Sequence, residues 1–122
     1  MFGPLPALGL YGRHVEGLTL RNIEVRSEQP DARPAIVLDD VSDLDLDGFR
    51  PARPRGESPV LWLNNVAGAL VRGARAPEGN ALFLRVTGPR SRRIVVSGSD
   101  LAGARQAVQV SSEASPSEVV VR

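Results

Sequence analysis

A repeat of about 25 residues constrains this chain more than any other feature of its sequence. Leu18-Thr19-Leu20-Arg21-Asn22 lies over Leu44-Asp45-Leu46-Asp47-Gly48, then over Ala69-Leu70-Val71-Arg72-Gly73 and Ile94-Val95-Val96-Ser97-Gly98. Val119-Val120-Val121 opens a fifth copy. The third position of the frame falls at Leu20, Leu46, Val71, Val96 and Val121, in steps of 26, 25, 25 and 25. Apolar residues alternate within each copy, the period of a half-buried strand. The first four copies then reach Asn or Gly, the residues that turn most easily into the left-handed region.

A second strand is expected about eight residues upstream in each copy, at Leu10-Tyr11-Gly12, Ile36-Val37-Leu38, Leu61-Trp62-Leu63, Leu82-Phe83-Leu84 and Val108-Gln109-Val110. The first three lead into the polar pairs Arg13-His14, Asp39-Asp40 and Asn64-Asn65. Strand, turn, strand and bend, repeated without helical segments, predict an all-β fold, a right-handed parallel β-helix of about five coils of 25 residues. With coils about 4.8 Å apart, the solenoid is about 20–25 Å tall. Leucine-rich repeats share the period but require a Leu/Asn consensus that is absent, and a β-sandwich would not require a constant register.

Composition agrees and excludes several functions. Twelve glycines and ten prolines punctuate the chain at intervals that suit short strands. Fifteen basic residues, all Arg, balance fourteen acidic ones to a net charge of +1, so nucleic acid and membrane surfaces are not expected partners. There is no Cys, which removes disulfides, thiolate metal sites and cysteine catalysis. No cofactor is expected. The opening MFGPLPALGLYGRH lacks a basic start and is interrupted by Pro4 and Pro6, so it is not expected to act as a signal peptide.

Several stretches invite sharper interpretations. Asp43-Leu44-Asp45-Leu46-Asp47-Gly48 spells the start of an EF-hand loop, but the twelfth position is Pro54 rather than Glu, and Leu44 and Leu46 belong to the inward column. The acids alternate because the strand does. Asp47 is expected to stack between Arg21 and Arg72 as a charge ladder. Asp39-Asp40 could supply an acid pair for inverting glycoside hydrolysis, which requires two carboxyl groups about 6.5–9.5 Å apart. Yet the matching positions on neighbouring coils are Arg13-His14 and Asn64-Asn65, so His14, Asp40 and Asn65 are expected to cap a turn. Tyr11, Val37, Trp62 and Phe83 are expected to form one outward apolar column, either stacking on sugar rings or covered by a loop. Arg90, Arg92 and Arg93 cluster in a turn, where guanidinium forks could meet carboxylates or simply be solvated.

The phrases MFGPLPALGLYGRHVEGLTLRNIEV, DARPAIVLDDVSDLDLDGF, PVLWLNNV and ARAPEGNALFLRVTG, over residues 1 to 110, resemble the late coils of bacterial proteins in glycoside hydrolase family 28, the polygalacturonase-like enzymes. The resemblance implies a pectin-lyase-like β-helix in a parent that hydrolyses pectic or related plant polysaccharide and is secreted or periplasmic. The family works through Asn-Thr-Asp, Asp-Asp, Gly-His-Gly and Arg-Ile-Lys motifs. Here Asp39-Asp40 falls beyond the coils that should be catalytic, His14 sits in Gly-Arg-His-Val, and Arg93-Ile94 precedes Val95. No catalytic residue is therefore assigned. Residues 1–122 are expected to be a single partial domain, a C-terminal scaffold whose catalytic coils lie upstream of Met1. The substrate-binding candidates are Tyr11, Trp62, Phe83, Arg90, Arg92 and Arg93. A non-catalytic β-helix for carbohydrate binding or adhesion is the alternative, and a lyase or epimerase a more distant one.

Overall fold

The computed structural model describes residues 10–26, 33–54, 56–111 and 113–122. It contains β1 (Leu10–Val25), β2 (Ile36–Pro51), β3 (Pro59–Arg72), β4 (Asn80–Thr87), β5 (Arg92–Ser97), β6 (Ala104–Val110) and β7 (Val119–Val121), with one short 3-10 turn at Pro116–Glu118. Every ladder is parallel. Successive strands pair in chain order from β1 to β4, β6 follows β4, and β5 lies between β3 and β7. Parallel neighbours about 25 residues apart, with no α-helix between them among the described residues, require the chain to wind around its own core. The fold is a parallel β-helix of about four turns.

The frame predicted for the downstream strand holds throughout. Leu20 pairs with Leu46, Leu46 with Val71, Val71 with Val96, and Val96 with Val121. Five passes over this column enclose four turns. Leu46, Val71 and Val96 are fully buried, and so are Leu38, Leu63 and Phe49 on the other inward columns. Each such aliphatic side chain taken out of water contributes about 1.5–3 kcal/mol, the main force holding the coils in stack.

Strands of 14 to 16 residues cannot follow a closed coil without bending. The bends are single residues with positive φ, in three columns: His14, Asp40, Asn65 and Gly88; Gly17, Asp43, Gly68 and Arg93; and Asn22, Gly48, Gly73 and Gly98. Asn, Asp and His tolerate this region because their short polar side chains bond locally. Arg93 (φ 51°) is the uncommon member, and its N–H donates to Glu118 Oε2 at 3.3 Å.

The upstream strand departs from expectation in coil 4. Leu61 pairs with Leu84, not Leu82, and Trp62 with Arg85, not Phe83. Phe83 is therefore not an outward residue: it is fully buried and packs its ring 6.4 Å from that of Phe49. Ala81, Leu82, Phe83 and Leu84 are all buried, so alternation could not reveal which were inward. Register is recovered in the next turn. Asn64 pairs with Thr87 and Ala67 with Arg92, so three steps of chain in coil 3 face five in coil 4. The surplus of two residues makes a protruding turn, Gly88–Ser91.

Candidate functional site

The surplus turn stands over one lateral face, where the polar pairs of successive coils stack into two hydrogen-bonded ladders. In the first, Arg13 Nε lies 3.5 Å from Asp39 Oδ2, and Asn64 Nδ2 donates to Asp39 Oδ1 at 2.9 Å. Thr87 Oγ1 donates to Asn64 Oδ1 at 2.8 Å, and Trp62 Nε1 donates to Thr87 Oγ1 at 2.9 Å. The Arg85 guanidinium sits 5.4 Å from the centroid of the Trp62 ring and its Nε donates to Gln109 Oε1 at 3.1 Å. One chain of contacts thus crosses all five passes.

The second ladder follows the bend residues. His14 Nδ1 is 2.5 Å from Asp40 Oδ2, and Arg90 Nη1 is 3.6 Å from Asp40 Oδ1. The His14 hydrogen bond holds the Asp40 carboxyl below its ordinary value, opposed by desolvation and helped by the charges of Arg90, His14 and Arg13. Arg90 N–H donates to Asn65 Oδ1 at 3.1 Å, tying the surplus turn to the coil beneath.

Between the turn and the ladders lies a groove of about 430 Å³. Asp40 and Ser42 line it from coil 2, Asn65 and Ala67 from coil 3, and Pro89 with Arg90 and Arg92 from coil 4. Small side chains on coil 3 leave the space, and the surplus residues wall it. Of the expected sugar-facing residues, Arg90 and Arg92 line this groove, while Arg93 is not among its lining residues. Tyr11 stands on coil 1, 41% exposed. Trp62 is half-buried, with its N–H bonded to Thr87 and Arg85 against its ring. Asn65, Ser42 and Ala67 were not singled out as binding residues; the Asn64-Asn65 stacking over Asp39-Asp40 was the signal for that face.

The acids of the calcium-like run lie elsewhere. Arg72 pairs with Asp45 at 3.6 Å and with Asp47 at 3.3 Å, and the ladder register places Arg21 opposite Asp47. Among the described residues no group of three or more His, Cys, Asp or Glu is placed to hold a metal ion.

This architecture defines a parallel β-helix with a polar lateral groove. Comparison with protein-family models, with curated proteins and with solved structures finds no match to the chain.

Proposed function

We propose that the chain is the scaffold portion of a polygalacturonase-like glycoside hydrolase, whose parent cleaves pectic or related polysaccharide. One observation carries the proposal: the described residues of the phrases that resemble the late coils of that family lie on successive coils of a parallel β-helix. The acid pair supports a scaffold role over a catalytic one. Asp39 is bonded to Asn64 and beside Arg13, Asp40 is bonded to His14 and near Arg90, and the coil above offers Asn64 and Asn65. An inverting mechanism requires one carboxyl held protonated. Asp40 is biased the other way, toward its charged form.

The test is reducing-end release from polygalacturonate by the purified chain. Background rates are expected, and turnover that Asp40→Asn abolishes would overturn the scaffold role. A coding sequence that continues upstream of Met1 into coils bearing Asn-Thr-Asp and Asp-Asp motifs is expected for a hydrolase parent.

The groove favours a second reading, a non-catalytic carbohydrate-binding or adhesion module. Its mixed hydroxyl, amide and charged lining suits a polar ligand. Retardation of the chain in gels containing polygalacturonate or neutral pectic polysaccharide would support it, and free migration in both would remove it.

A further inference from the structure

The turn that walls the groove is braced more firmly than a surface loop requires. Ser91 Oγ donates to the Thr87 carbonyl at 2.8 Å and accepts from Val66 N–H at 3.2 Å, while Arg90 N–H is held by Asn65. Ser91 is buried, so the brace is shielded from water. A rigid turn on a rigid sheet is the arrangement that positions a binding group. What it positions is cationic: Arg90 within the turn and Arg92 at the start of β5.

The lining carries two guanidinium charges against one carboxylate. That carboxylate, Asp40, is shared between His14 and Arg90. The Arg90–Asp40 separation of 3.6 Å is longer than a hydrogen bond, so Arg90 keeps its donors available. Arg92 is exposed and, among the described residues, forms no ion pair. Asn65 spends its carbonyl oxygen on Arg90 and retains an amide donor.

We propose that this groove binds a monoanionic oxyanion, a carboxylate or a sulfate monoester borne by a small polar molecule. Arg92 is the principal partner, with Arg90 and the Asn65 amide beside it. A guanidinium grips a carboxylate in a two-point fork and offers the same donors to a sulfate ester. Two guanidiniums against one carboxylate leave the lining one positive charge in excess, which a monoanion neutralises and a dianion would exceed. Ser42 and Asp40 remain to bond hydroxyl groups on the body of the ligand. A space of about 430 Å³ is within the range of small-molecule sites. The site stands on the groove itself and holds whether or not the parent is a hydrolase.

The experiment is a titration of the isotope-labelled chain, following the side-chain resonances of its arginines and asparagines. Sodium acetate and sodium methyl sulfate serve as probes, against sodium chloride at equal ionic strength. Saturable shifts at Arg92 and Asn65 are expected with at least one probe. Saturation by acetate identifies a carboxylate site and saturation by methyl sulfate a sulfate-ester site. Arg92→Gln should weaken binding about fivefold or more. Arg105→Gln, which alters a guanidinium paired with Glu57 away from the groove, should leave binding unchanged. Shifts that never saturate, that chloride reproduces, or that survive Arg92→Gln would overturn the site.

Discussion

Gly88 shows how much of this fold rests on single residues. It takes the bend position occupied by His14, Asp40 and Asn65 in earlier coils, with φ at +94°. A β-carbon there would stand 2.3 Å from Asn65 Oδ1. Gly88→Ala is therefore expected to cost about 1–3 kcal/mol, from the strained conformation together with displacement of Asn65. Urea unfolding measures it, and an unchanged midpoint would show that the turn relaxes freely. Asn80 presents the opposite case. The residue is 1% exposed and neither polar atom of its side chain has a hydrogen-bond partner. A buried amide left unsatisfied costs about 1–3 kcal/mol, so removing it should do little harm. Asn80→Val is expected to unfold within about 1 kcal/mol of the parent, or above it. A larger loss would point to an internal water bonded to Asn80. Neither residue announced itself in the chain: Gly88 stood in a turn of unknown register, and burial of Asn80 depends on what packs over it.

Between elements, the lateral ladders hold neighbouring coils in register by polar contacts that water partly screens. Asp40 joins coil 1, through His14, to the turn of coil 4, through Arg90. Its folded-state carboxyl is held below the ordinary value near 3.8. A depressed carboxyl adds stability that is present above the unfolded value and is lost as pH falls through the folded one. The stability gap between the parent and Asp40→Asn should accordingly be full at neutral pH and close in acid, below about 3.8. Chemical unfolding at matched pH values tests this, and a gap that persists unchanged in strong acid would exclude the electrostatic origin. The pairing of Arg13-His14, Asp39-Asp40 and Asn64-Asn65 was legible in the sequence as a stacked polar column. Its extension to Thr87 and Trp62 was not, because the shortened upstream step in coil 4 had to be known before Thr87 could be set beside Asn64.

At the scale of the molecule, a solenoid is stabilised by contacts between neighbours, so stability varies along its axis. Coils 2 and 3 hold the driest columns: Leu38, Leu46, Leu61, Leu63 and Val71 are all fully buried. β7 has three residues, of which Val120 and Val121 remain 41% and 49% exposed. Amide hydrogen exchange is expected to be slowest in β2 and β3 and, among the described strands, fastest in β7. Uniform protection across the five passes would instead mean that the solenoid opens only as one unit.

The sequence alone was sufficient for the winding of the chain. Apolar alternation and the 25-residue step of Leu46, Val71, Val96 and Val121 are one-dimensional properties, and parallel stacking follows from them wherever strands recur in a constant frame. The groove belongs to three dimensions. It exists because coil 4 gains two residues between Thr87 and Arg92 after its upstream strand has paired two residues early. Four consecutive buried residues, Ala81 to Leu84, carry no alternation that could have disclosed the shift. The pairing of coil 4 with coil 3, with Phe83 packed inward against Phe49, shows which residues turn inward and where Arg90 and Arg92 stand over Asp40 and Asn65.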